Sequence, residues 1–228
     1  MTLPIVSSKR GVRHALSLLR HIVWPAFCPL CGRVCRDVCA ECLAALVEPG
    51  CAFCMQCGAD EPCLAHAGGP YVRSATAYGA HSREIVHRMK YAGARGIAYA
   101  AGEVMGRILP RPEADILVPV PLHKQSRRDY NQAERIASGL ASVWRIPVRP
   151  LLRWRRALPR QVERGQGGRA LPEDAIMTAG DCTQNMVVCL VDDVYTTGST
   201  LNAARRAVER AGCVVSGAAV WSRSVLRR

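Results

Sequence analysis

The stretch Val187-Val-Cys-Leu-Val-Asp192-Asp193-Val-Tyr-Thr196-Thr197-Gly198-Ser199-Thr200 changes character twice within fourteen residues. Met186 to Val191 is an unbroken apolar run, the pattern of a strand covered on both faces. It runs into two adjacent acids. A loop of small hydroxylated residues follows and opens a helical pattern over 199–211. Backbone N–H groups of Thr196, Thr197, Gly198, Ser199 and Thr200, with the dipole of the helix, can cradle a phosphate dianion. Gly198 lets the backbone approach closely, and the hydroxyls add donors. Asp192 and Asp193 repel a phosphate at close range. They suit hydrogen bonds from sugar hydroxyls or a place beside Mg²⁺. The plainer alternative is a Ser/Thr helix cap with two solvated acids, a costly arrangement at a strand end without a ligand. No lysine follows a glycine here as in a Walker loop, and the chain has no GxGxxG.

Outward from this junction, apolar strands and helices alternate. Residues 72–78 and 116–120 read as strands, as does 213–221. Residues 82–91, 97–109 and 131–144 read as helices with Ile85, Val86 and Met89, and Ile136, Leu140 and Val143, turned inward. Such alternation predicts an α/β fold: a mainly parallel sheet with flanking helices and its ligand at the carboxyl ends of the strands. The 228 residues, 49% hydrophobic, suffice for one domain or one domain plus a small module, and make disorder untenable. Only twelve residues are aromatic, which argues against an RNA-binding sheet built on stacking.

Charge is uneven along the chain. Residues 1–70 carry six basic and five acidic groups, so nearly all of the net +13 lies in residues 71–228. Twenty-eight of the 31 basic residues are arginine, and eight of these fall in 145–169 beside the single acid Glu163. Arginine forks suit phosphate recognition, so the larger segment is the one expected to bind an anion.

Nine of the twelve cysteines lie between Cys28 and Cys63. Arg10, Arg13 and Arg20 interrupt the early apolar stretch, so no secretory leader is expected. No run reaches the ~20 apolar residues of a membrane span. A cytoplasmic chain with clustered CxxC pairs points to metal rather than disulfides. Cys28, Cys31, Cys39 and Cys42 can fold as two tight turns around one zinc, with Gly32 supplying the open backbone. Cys54, Cys57, Cys63 and His66 repeat the pattern, Gly58 standing where Gly32 stands. Cys51-Ala-Phe-Cys54 is a competing CxxC, which leaves Cys51 open as a ligand in place of Cys57 or His66. With four protein ligands each, both sites are closed and structural, about two zinc per chain. Ala15, Leu18, Leu19 and Ile22 form the stripe of a short amphipathic helix that Pro25 ends. The expected division is therefore 1–27 as lead-in helix, 28–70 as a double zinc ribbon and 71–228 as the α/β domain.

The junction at 187–200 closely resembles the 5-phosphoribosyl-1-pyrophosphate (PRPP) signature of type I phosphoribosyltransferases, and the rest of the chain resembles the ComF family, which joins a double zinc ribbon to such a domain. Val118-Pro119-Val120-Pro121-Leu122-His123 is similar to its pyrophosphate loop. Arg127-Arg-Asp-Tyr-Asn131-Gln132 resembles its Arg-Gly-Phe-Asn-Gln segment, with Asp129 in place of Gly, and His66 stands in place of a cysteine. Gln161 and Arg169 fall where the family's mobile-loop Gln and Arg lie.

The resemblance implies a phosphoribosyltransferase-like fold and Mg²⁺-dependent transfer of ribose 5-phosphate to or from an acceptor of nucleobase type. Asp192 and Asp193 would then hold the ribose, the following loop the 5′-phosphate, and Pro119 to Leu122 the pyrophosphate. Arg155, Arg156, Arg160, Arg164 and Arg169 become candidates to stabilise charge on the leaving group, with Arg164 and Arg169 foremost and Gly165, Gly167 and Gly168 as hinges. His81, His87 and His123 read as surface or structural residues. Two non-catalytic readings stand beside this one. One is an accessory protein that handles single-stranded DNA with a helicase partner in natural competence; the other is a regulator that senses PRPP. The acceptor cannot be read from the chain.

Overall fold

In the computed structural model, the residues described are 27–28, 30–35, 38–91, 95–123, 126, 128–155, 171–172, 174–180 and 183–224. The lead-in stripe at Ala15 to Ile22 lies outside them, as do Arg156, Arg160, Gln161, Arg164 and Arg169.

Among the described residues, seven strands and five α-helices follow in chain order: α1 (Ala40–Ala45), β1 (Phe53–Cys54), β2 (Tyr71–Ala77), α2 (Ala80–Tyr91), α3 (Arg95–Ile108), β3 (Ile116–Pro119), α4 (Gln132–Trp144), β4 (Leu152–Trp154), β5 (Ile176–Thr178), β6 (Val187–Tyr195), α5 (Ser199–Arg210) and β7 (Val214–Arg223). The main sheet has the order β1-β2-β7-β6-β3. The four strands from β2 to β3 are mutually parallel, and β1 is antiparallel to β2 at the edge. A separate hairpin pairs β4 with β5. No helix among the described residues is long and apolar enough to cross a membrane.

The α/β expectation holds, with two refinements. The expected strand at 186–191 runs on through both acids to Tyr195, because β7 keeps pairing alongside: Asp192 faces Val220 and Tyr195 faces Arg223 across the ladder. The hairpin β4–β5 was not legible, since its short halves are separated by 21 residues.

Both sides of the sheet are covered. Ala75, Leu117, Cys189, Val191, Ala219 and Trp221 turn toward α2, α3 and α4, whereas Val72, Val118, Val188, Leu190, Ala218 and Val220 turn toward α5 and the β4–β5 hairpin. The two cysteine segments divide between these layers. Cys28, Val38 and Leu43 join the core under α2–α4; Phe53 and Met55 join the core under α5. Since Phe53–Cys54 is also strand β1, the second cysteine segment is built into the edge of the main sheet.

Helices α3 and α4 cross at glycine. A Cβ on Gly102 would lie 2.1 Å from the Ile136 carbonyl oxygen, and one on Gly139 would lie 2.1 Å from that of Tyr99. Neither neighbour is a movable side-chain tip, so the helix axes would have to part. Gly102→Ala should therefore lose at least about 2 kcal/mol despite alanine's better helix propensity. That loss lowers Tm by roughly 4–8 °C in a chain of this size. Gly50→Ala, at an exposed glycine with nothing within 4 Å of the added carbon, should stay within about 0.5 kcal/mol of wild type. Parallel thermal melts of the two variants check this.

Candidate active site and metal clusters

Strand β6 is buried from Val188 to Val191, and its side chains become polar where it emerges from between the two layers. Asp193 remains only 8% exposed there, and its Oδ2 accepts an ion pair from Lys90 Nζ at 2.9 Å. Lys90 sits in the last turn of α2. The Asp193 backbone N–H donates to Asp192 Oδ1 at 2.8 Å, which fixes the Asp192 carboxylate. Burial pushes the Asp192 carboxyl up to about 7, and the neighbouring charge of Asp193 adds to this. The Asp193 N–H, Lys90 and Arg128 act in the opposite direction.

Next along the chain, Thr196 and Thr197 are exposed and Gly198 takes φ +75°. Gly198 is the N-cap of α5 and has no side chain to satisfy the helix's first N–H groups. Thr197 Oγ1 and Ser199 Oγ share a short hydrogen bond, and the Ser199 N–H reaches Thr197 Oγ1 only at 3.5 Å. The start of a twelve-residue helix thus faces solvent with its positive dipole end lightly engaged, an arrangement suited to an anion.

The loop after β3 stands next to this junction. Pro119 is the ladder partner of Val191, and the Val120 N–H donates to the Val191 carbonyl at 2.9 Å. Asn131 clamps the loop from α4. Its Nδ2 donates to the Val120 carbonyl at 2.9 Å while its Oδ1 caps α4 by accepting from the Ala133 N–H at 3.1 Å. Trp154 Nε1–H donates to the Pro121 carbonyl at 2.8 Å, and the Trp154 ring meets His123 edge to face. Leu122 follows, half-buried. Asp129 is not among the residues with positive φ, so the aspartate in place of the family's glycine carries no backbone strain.

The structure thus brings together Asp192, Asp193, the 196–200 loop and residues 119–122 at neighbouring strand tips. Arg155 is described, and it pairs with Asp174. Arg164, Arg169 and Gln161 lie outside the described residues. Lys90 was not singled out in the sequence, where a lysine near a helix end looks like an ordinary solvated residue, and Arg128 was quoted only as part of the Arg127–Gln132 segment, without a role of its own. A cavity of about 320 Å³ lies elsewhere, at the amino halves of β2, β6 and β7 beside Arg73, Arg111 and Trp144.

The two clusters expected to bind metal are both assembled. Cys28, Cys31, Cys39 and Cys42 present four sulfurs within 4.8 Å of one another, and so do the ligand atoms of Cys54, Cys57, Cys63 and His66. A zinc tetrahedron with Zn–S of about 2.3 Å and Zn–N of about 2.0–2.1 Å requires edges of roughly 3.7 and 3.6 Å. Cys31 and Cys39 Sγ are 3.6 Å apart, Cys57 and Cys63 Sγ 3.5 Å, and His66 Nδ1 lies 3.6 Å from both Cys54 and Cys63 Sγ. Either cluster can hold zinc. Gly32 and Gly58 both have φ +74°, and their N–H groups donate to the carbonyls of Cys28 and Cys54. The two turns are the same turn, which is why Gly58 picks out Cys54 and Cys57 and leaves the exposed Cys51 outside the cluster.

No family model matches the chain. The competence protein ComFC of Bacillus subtilis (strain 168) is 30% identical over 149 residues, which are 63% of this chain and 60% of that protein. The chain is similar to ComFC over that stretch. It spans less than two thirds of the relative's length, and the ComF resemblance read from its motifs holds. Among solved structures, an adenine phosphoribosyltransferase aligns with 81% of the chain and 88% of its own at 16% identity and a TM-score of 0.39. The adenine phosphoribosyltransferase of Thermoanaerobacter pseudethanolicus aligns with 81% and 99% at 13% identity and 0.38. UMP synthase of Leishmania donovani aligns with 79% and 30% at 18% identity and 0.38.

Two outcomes follow from this geometry. Elemental analysis of the purified protein should find about two zinc per chain, and a chelator should lower its Tm, because cysteine segments this short depend on metal for their fold. The second concerns pH. An aspartate raised from about 3.9 when unfolded to about 7 when folded binds its proton more tightly in the native state. Its stabilising contribution is complete below about pH 4 and is lost as pH rises through 7. Asp192→Asn removes the group that must ionise against burial, so its Tm gain over wild type should be small at pH 4 and largest near pH 8. Thermal melts across that range measure it.

Proposed function

We propose that this protein binds PRPP or a closely related phosphoribosyl ligand at the β6–α5 junction and transfers ribose 5-phosphate to or from an acceptor of nucleobase type. The observation that carries the proposal is the junction itself: two adjacent carboxylates, each held by its own partner, and a lightly engaged helix N-terminus, five residues apart along one strand–helix junction. A sugar with vicinal hydroxyls and a phosphoester presents the complementary pattern. Its hydroxyls donate to Asp192 and Asp193, and its 5′-phosphate accepts from N–H groups of Thr196, Thr197, Gly198, Ser199 and Thr200. Pro119 to Leu122 line the side where a diphosphate on C1 would lie.

Lys90 Nζ pairs with Asp193 Oδ2. Hydroxyl donors would share or replace that contact, leaving the ammonium beside the incoming phosphates. When bound with the diphosphate, Mg²⁺ would neutralise the charge that grows on this leaving group as the C1–O bond breaks. In this reading Arg164 and Arg169 of the arginine-rich segment stabilise that charge, and Gln161 hydrogen-bonds the ligand. The surplus of positive charge in residues 71–228 serves that purpose. It would also serve a second reading, contact with single-stranded DNA alongside a helicase, which the competence name of the relative supports.

Titration calorimetry with PRPP and Mg²⁺ tests the first reading. Wild type should bind saturably, and the double variant Asp192→Asn/Asp193→Asn should lose at least tenfold in affinity. Equal binding by both proteins would remove the acid pair from the site.

A further inference from the structure

The proposed phosphate loop touches the second cysteine–histidine cluster at one atom, the Met55 carbonyl oxygen. Met55 is the first residue between Cys54 and Cys57. Asn202 Nδ2, in the first turn of α5, donates to this oxygen at 2.9 Å. The Tyr195 hydroxyl, at the end of β6, donates to it at 3.4 Å. The two donors flank residues 196–201, so a single carbonyl holds both ends of the loop. Between them, Gly198 packs so tightly that a Cβ there would lie 2.7 Å from the Tyr195 hydroxyl and 2.9 Å from the same Met55 oxygen. Asn202 Oδ1 is buried without a hydrogen-bond partner, so the amide is held for the bond its nitrogen makes.

The rest of the cluster reinforces this contact. Phe53 packs edge to face on Tyr195 with ring centres 4.7 Å apart. Gly58, the residue after Cys57, brings its backbone so close that a Cβ would lie 3.3 Å from the Tyr195 hydroxyl. Arg223 lies over Phe53, pairs with Asp60 at 2.7 Å and donates to the Gly58 carbonyl at 2.6 Å. Met55 itself is fully buried, so its carbonyl is shielded from solvent.

We propose that the second cluster is the brace of the anion loop, with Asn202 and Tyr195 as positioning residues that fix residues 196–201 through the Met55 carbonyl. Metal held by Cys54, Cys57, Cys63 and His66 fixes the turn that carries this carbonyl, and the loop keeps its binding shape only while that turn is intact. Loss of metal or oxidation of these thiols then weakens phosphate binding at a loop that contains none of the ligands. The first cluster packs in the opposite layer and has no such link among the described residues. The consequence for ligand affinity rests on the PRPP reading; the brace itself does not.

The full-length zinc-loaded protein provides the test, through hydrogen–deuterium exchange at residues 196–201 without ligand and PRPP affinity with Mg²⁺. Asn202→Ala keeps all eight metal ligands and should speed exchange in 196–201 about tenfold while zinc content stays at wild type. Cys57→Ser should lose one zinc and speed exchange at the same residues, and Cys51→Ser should change neither. PRPP affinity should fall about tenfold in Asn202→Ala. If exchange in 196–201 is unchanged in Asn202→Ala, the brace is wrong whatever the affinities do. If exchange accelerates but wild type fails to bind PRPP, the brace stands and the ligand assignment fails. Should Cys57→Ser not fold, Asn202→Ala decides alone.

Discussion

Strand β6 lies between β7 and β3, with α4 and its neighbours on one side and α5 with the hairpin on the other. A strand so placed satisfies its backbone in the ladder and must keep its side chains apolar while covered. Val188 to Val191 obey that constraint. Charge can appear only where the cover ends, and there two aspartates appear at once. Adjacent carboxylates with limited water repel each other, and the fold answers with an ammonium from α2, a backbone N–H and the guanidinium of Arg128. Even so, Asp192 stays raised to about 7. A group held in so unfavourable a setting costs stability, which is the pattern that makes this strand tip a candidate site.

The cysteine segments look like a separate module in the sequence, since their composition and charge differ from everything after Tyr71. Packing ties them in. One cluster contributes Cys28, Val38 and Leu43 to the core beneath α2–α4, and the other contributes Phe53 and Met55 to the core beneath α5. The chain crosses from one layer to the other between Leu43 and Phe53, around the edge where β1 pairs with β2. The metal clusters therefore bind one to each side of the sheet, and neither is a free appendage.

Much of this was legible because the signals are local. An apolar run, two acids, hydroxyls and a glycine report a strand, its tip and a helix start without reference to distant residues. Gly32 and Gly58 repeat one turn that needs positive φ, so they identify their own cysteines. What was missed is non-local. The continuation of β6 to Tyr195 depends on a partner strand whose paired residues lie 28 positions further along, as Tyr195 and Arg223 do. Hairpin β4–β5 joins segments too short to carry a period and separated by the arginine-rich stretch. Lys90 gains its meaning from Asp193, more than a hundred residues later. Asn202 looks like a neutral surface residue of an amphipathic helix until Met55 is placed beneath it.

These missed contacts divide by layer in a way that explains the site's two halves. Lys90 reaches the β6 tip from the α2–α4 side and attends to the carboxylates. Met55, Asn202 and Tyr195 meet on the α5 side and attend to the loop. The strand end is thus held from both faces, with charge balance supplied by one and backbone shape by the other. A phosphorylated sugar makes the same two demands at once, hydroxyls that need acceptors and a dianion that needs fixed donors. Two adjacent residues on one strand could not meet both, because acceptors and anions repel. Val194, Tyr195 and the three-residue turn 196–198 lie between the acids and α5, with Gly198 pressed against Met55, and in the proposed reading that spacing lets one small ligand bridge the two.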